Sequence, residues 1–92
     1  MVTNPEPPPI TTDQISQRAF EISQQGKTFD QLVWLVAEKL LQIQTGAEPL
    51  PNQIKSIAES IANNHPKLEE LHWLLAERQL ILERKRRSRG LF

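Results

Sequence analysis

An all-α fold, two tandem helical hairpins in a four-helix bundle with pseudo-two-fold symmetry, is what this 92-residue sequence predicts. Three observations carry that expectation. The chain repeats itself: displaced by 39 positions, residues 14–41 align on residues 53–80 without a gap and with ten identities. Apolar residues recur in both copies at helical spacing, and no segment sustains the alternation of a strand. Gly26, Gly46 and Pro66 interrupt the apolar stripes where a hairpin needs turns. The densest match is Trp-Leu-x-Ala-Glu, at residues 34–38 and again at 73–77. A repeat of this period marks a supersecondary unit that cannot bury its apolar face alone.

The first element, residues 1–10, holds four prolines, which remove backbone donors and favour an extended, disordered leader. Helix one is expected to start near Thr12 or Asp13, with Ile15, Ala19 and Ile22 on one face, and to end at Gly26. Thr28-Phe29-Asp30-Gln31 has the pattern of a capping box and opens helix two, which runs to about Thr45 and stops at Gly46. Its apolar residues form two stripes, one with Leu32, Val36 and Ile43, the other with Trp34, Ala37 and Leu41. A helix apolar on two sides needs partners on two sides.

Residues 46–51 link the units. Asn52 is the expected cap of helix three, whose stripe is Ile54, Ile57, Ala58, Ile61 and Ala62. Pro66 suits the first turn of helix four, which repeats helix two with Leu71 and Leu75 on one stripe and Trp73, Ala76 and Leu80 on the other. The fourth helix can continue into Arg84–Arg87, because cations offset the dipole at a helix C-terminus. Gly90 then ends it. The domain reading is therefore a leader at 1–10, one helical domain at 11–83 (first repeat 11–45, second 52–83), and a basic tail at 84–92.

Composition bounds the function. A hydrophobic fraction of 38% supports only a thin core in a chain this short, and without cysteine no disulfide or thiolate metal site supports it. Self-association is the remaining support, so a homodimer is expected. No apolar run approaches a membrane span and no signal pattern opens the chain, so no membrane contact and a cytoplasmic location are expected. The net charge of zero conceals a split: residues 1–83 carry six Lys/Arg against eleven Asp/Glu, and residues 84–92 carry five cations and no acid. Such a split points the tail towards an acidic partner.

The matched Glu38 and Glu77 are the residues best placed for chemistry, as an acid–base pair or metal ligands, were the repeats to face each other. Against this, a Glu four residues after a Trp shares its helix face and serves to cap a neighbour or pair with a cation. Di-metal bundles also need a symmetric pair of Glu-x-x-His motifs; Glu69 and His72 provide one, and Gln31 and Val33 break the second. His65 is expected in a turn and His72 half-buried at the surface. Nothing resembles a nucleophile–base arrangement or a phosphate loop, so no catalytic residue, cofactor, metal or small-molecule substrate is expected. Trp34 and Trp73 are expected to be largely buried, as core or dimer anchors. Arg84, Lys85, Arg86, Arg87 and Arg89 are expected either to meet nucleic acid or a protein partner or to act only as a soluble helix end.

The first repeat resembles a bacterial family of short domains of unknown function. Ile15, Arg18, Ala19 and Phe20 match its Ile-x-x-Arg-Ala-(Tyr/Phe) helix, Gly26 its break, and Trp34, Leu35, Ala37 and Glu38 its second helix. The second repeat departs at Ile57, Glu59 and His65. The resemblance implies a helical hairpin and no particular chemistry. The expectation is a non-catalytic protein–protein interaction or adaptor module; the alternative is a nucleic-acid accessory protein using the basic tail.

Overall fold

The computed structural model describes residues 9–89; the leader up to residue 8 and Gly90, Leu91 and Phe92 lie outside them. Four helices make up the fold: α1 (Thr12–Ser23), α2 (Phe29–Thr45), α3 (Pro51–Asn63) and α4 (Leu68–Arg89). Among the described residues there is no strand. Two helix starts are closed by reciprocal capping boxes. Thr11 Oγ1 accepts from the Gln14 amide at 3.2 Å, and the Thr11 amide donates to Gln14 Oε1 at 2.9 Å. Thr28 and Gln31 repeat both distances at α2. At the far end of α2, Gly46 takes φ +72° and its amide donates to the Gln42 carbonyl at 2.9 Å.

Two starts differ from expectation. α3 opens on Pro51, whose fixed φ suits the first helical position, so Leu50 and not Asn52 is the cap. Leu50 has no acceptor, and only half a box survives, the Leu50 amide donating to Gln53 Oε1 at 3.0 Å. α4 opens on Leu68, the repeat equivalent of Phe29, which leaves Pro66 outside the helix. Lys67 supplies the first carbonyl, accepting from the Leu71 amide at 3.1 Å.

The four helices form an all-α bundle with one specific pairing. α1 packs on α4, α4 on α2, and α2 on α3. No Cα of α1 comes within 8 Å of α2, and none of α3 within 8 Å of α4. The two helices of each hairpin are therefore splayed, and each short helix lies on the long helix of the other repeat. Exchanging the repeats maps this set of contacts onto itself, which is the pseudo-two-fold. The pairing follows from the two stripes on each long helix: one meets the other long helix and the flank beside it takes a short helix.

The core is built from repeat-equivalent residues. Ile15 and Ile54, Leu32 and Leu71, Val36 and Leu75, and Ala37 and Ala76 are all buried. Ile22, Val33 and Leu82 complete it without buried counterparts, since Ile61, His72 and Ile43 are only half-buried. Each fully buried aliphatic side chain contributes about 1.5–3 kcal/mol.

Candidate functional site

Trp34 and Trp73 lie at the edge of the core and not at its centre. Trp34 is 37% exposed, and Trp73 is half-buried and packs against the core. The reason is angular. Trp34 lies two residues from both Leu32 and Val36, about 200° around the helix from each. With Leu32 and Val36 buried, the Trp34 indole is turned towards the surface, whereas Trp73, between Leu71 and Leu75, still packs in part against the core. Ala37 and Ala76, expected on the same stripe as the indoles, are fully buried.

Each Trp lines a shallow surface hollow, and the two hollows are repeat equivalents. Asp30, Gln31, Trp34 and Leu35, with Lys27, line one; Glu69, Glu70, Trp73 and Leu74 line the other. Both combine an indole, a leucine and at least one carboxylate. The local cause is the same in each: the first turn of a long helix carries acids, which suit its N-terminal dipole, and the Trp follows one turn later.

Glu38 and Glu77 remain equivalent in their surroundings. Glu38 Oε1 lies 3.6 Å from Lys39 Nζ, and Glu77 Oε1 lies 3.7 Å from the Arg78 guanidinium. Each carboxylate thus pairs with the cation next to it in sequence. The cations also serve the helices that carry them, Lys39 Nζ donating to Gln42 Oε1 at 3.4 Å and Arg78 to the Leu74 carbonyl at 3.2 Å. Among the described residues no three His, Asp or Glu side chains gather as a metal-binding group. His65 is exposed in the turn and His72 half-buried, as the sequence suggests.

The basic run is helical. α4 continues through Arg84, Lys85, Arg86 and Arg87 to Arg89, its last residue. Lys85, Arg86 and Arg87 are exposed and Arg84 is half-buried. Lys85 Nζ reaches the Ile43 carbonyl of α2 at 3.4 Å, placing one cation over the negative end of that helix.

A polar tie between the repeats was not anticipated. Arg18 of α1 donates to both carboxylate oxygens of Glu83 on α4, at 2.6 and 3.1 Å, and to Gln79 Oε1 at 3.1 Å. This fork holds the Glu83 carboxyl below its usual range, chiefly through the hydrogen bond, with Arg86 and Arg87 adding a weaker pull. It raises the Arg18 guanidinium correspondingly. A signal did exist in the sequence: the equivalents of Arg18, Gln79 and Glu83 are Ile57, Leu40 and Gln44, so three positions change character together.

No family model, curated protein or solved structure matches the chain. The residues on which a likeness of the first repeat to a family of short helical domains was expected have structural places here: Ile15 is in the core, Arg18 in the inter-repeat tie, and Gly26 at φ +68°.

Proposed function

We propose that this chain is a small non-catalytic interaction module that docks proteins through its two Trp-bearing helix faces. The observation that carries the reading is the duplication of the hollow: an indole beside a leucine and a carboxylate, at Trp34 and again at Trp73. Trp is strongly enriched where interfaces concentrate their binding energy, and Trp34 keeps over a third of its surface exposed. The carboxylates favour partners that present an apolar side chain flanked by a cation.

A pull-down with the parent chain, W34A and W73A tests the reading. A protein recovered by the parent and lost with either variant, at unchanged helicity, supports it. A set of partners indifferent to both changes contradicts it.

A second reading rests on the exposed cations Lys85, Arg86 and Arg87, with Arg84, on one helical extension. They would neutralise phosphates in a nucleic-acid partner. Binding to random-sequence RNA or DNA would then fall steeply with salt, and would vanish when the five cations from Arg84 to Arg89 become Gln. A protein interface gives a shallow salt dependence instead.

A further inference from the structure

α4 carries a face that is complementary to itself. Glu70, Trp73, Glu77, Leu80, Arg84 and Arg87 follow one another at steps of three, four, three, four and three residues, the spacing of a coiled-coil seam. Glu70 and Arg87 are exposed and the four between them half-buried, with Trp73 and Leu80 packing in part against the core and Leu80 bordering α1, while Leu71, Leu75 and Leu82 hold the opposite side of the helix in the core. The acids sit in the N-terminal half of the seam and the cations in the C-terminal half. An antiparallel copy of α4, related by a two-fold between residues 78 and 79, sets Glu70 opposite Arg87, Trp73 opposite Arg84 and Glu77 opposite Leu80. Every layer then pairs chemically: an ion pair, a guanidinium over an indole, and a leucine beside the stem of a Glu whose carboxylate Arg78 already holds at 3.7 Å. The helix dipoles also run in opposite senses.

We propose that a second copy of this chain occupies the α4 face, in this antiparallel register. The proposal rests on the reading of the Trp-bearing faces as docking surfaces and assigns one of the two. The equivalent stripe on α2 is Gln31, Trp34, Glu38, Leu41 and Thr45, which has no cation and so no complement in itself. It stays available to another protein. The Glu70–Arg87 pair cannot form within one chain, because residues 70 and 87 of a straight helix lie about 25 Å apart.

Sedimentation velocity of the full chain over a concentration series tests this. The parent is expected to dimerise, more weakly at high salt. E70R and R87E should each raise the dissociation constant about tenfold, and the double variant E70R/R87E should return it to within about threefold of the parent. Circular dichroism of each variant separates lost pairing from lost fold. The absence of native cysteine permits a second test: equimolar E70C and R87C chains, under thiol exchange, should yield the mixed disulfide well above the half of all product that random pairing gives. A parent monomeric at all concentrations overturns the proposal. So does a dimer indifferent to the single changes, or one that the double variant fails to restore, or a preference for like-with-like disulfides. If the parent is monomeric and W34A still loses a partner, self-association alone has failed and the docking reading stands.

Discussion

Arg18 and Glu83, 65 positions apart in the sequence, meet as a two-pronged ion pair that ties the first helix of one repeat to the second helix of the other. Both partners are partly open to solvent, with side-chain exposures of 27% and 45%, so the tie directs the packing more than it strengthens it. The equivalent place in the other half holds Ile57, Leu40 and Gln44. Replacing Arg18 by Met should therefore cost no more than about 1 kcal/mol. Carrying over all three residues, as R18I, Q79L and E83Q, should leave a folded protein. Urea unfolding of the single and triple variants measures both; a triple variant that fails to fold would refute the equivalence of the two halves.

The same pair sets a dependence on pH. The Glu83 carboxyl is held below its usual range in the fold, so the unfolded chain takes up its proton first as the solution is acidified. Its contribution is present above the unfolded value and is lost as the pH falls through the folded one. Stability should decline across that acid window in the parent and decline less in E83Q. Thermal unfolding at neutral and acid pH provides the comparison, and equal slopes for both proteins would show that Glu83 contributes nothing.

The second repeat departs from the first at two backbone signals, and each departure predicts a stabilising reversal. His65 stands where the first repeat has Gly26, and both adopt positive φ, +50° and +68°. A left-handed conformation costs a residue with a Cβ roughly 1–2 kcal/mol, so His65→Gly should gain up to about 1 kcal/mol after the entropy of a freer unfolded chain is deducted. Leu50 stands where the first repeat has Thr11, and it is 60% exposed. Leu50→Thr restores the missing acceptor of the capping box and should gain about 1 kcal/mol. Melting temperatures of the two variants should rise independently, because the sites share no partner.

The outward turn of the Trp34 indole separates two kinds of apolar residue. Leu71 has no exposure at all, and Leu71→Ala should cost about 2–5 kcal/mol. Trp34 keeps over a third of its surface in water, and Trp34→Ala should cost less than Leu71→Ala despite the larger side chain. Chemical denaturation of the two variants ranks them, and a Trp34 variant as damaged as the Leu71 variant would return the indole to the core.

The helices were legible in the sequence because their signals are local. Thr28 with Gln31 and Gly46 mark the ends of α2 by chemistry that acts within one turn. The starts of α3 and α4 were less legible, since Pro51 and Leu68 compete with the neighbouring Asn52 and Pro66 as signals. The fate of Trp34 was not legible from apolarity alone: an indole two residues from Leu32 is apolar in composition and outward in angle. The partner choice of α1 was the least legible part. Its stripe of Ile15, Ala19 and Ile22 would fit either long helix, and both long helices repeat the same pattern. Only the polar differences at Arg18, Gln79 and Glu83 distinguish the two, and they become visible when the repeats are compared position by position.

Each short helix lies on the long helix of the other repeat. Because the chain has no cysteine, nitroxide labels can be placed in pairs and their separations read by pulsed electron paramagnetic resonance. Labelled chains diluted into unlabelled protein report distances within one molecule. A short separation is expected between positions 18 and 83 and between positions 57 and 44, with positions 18 and 44 far apart. A short separation between 18 and 44, with 18 and 83 remote, would mean closed hairpins and would contradict this pairing.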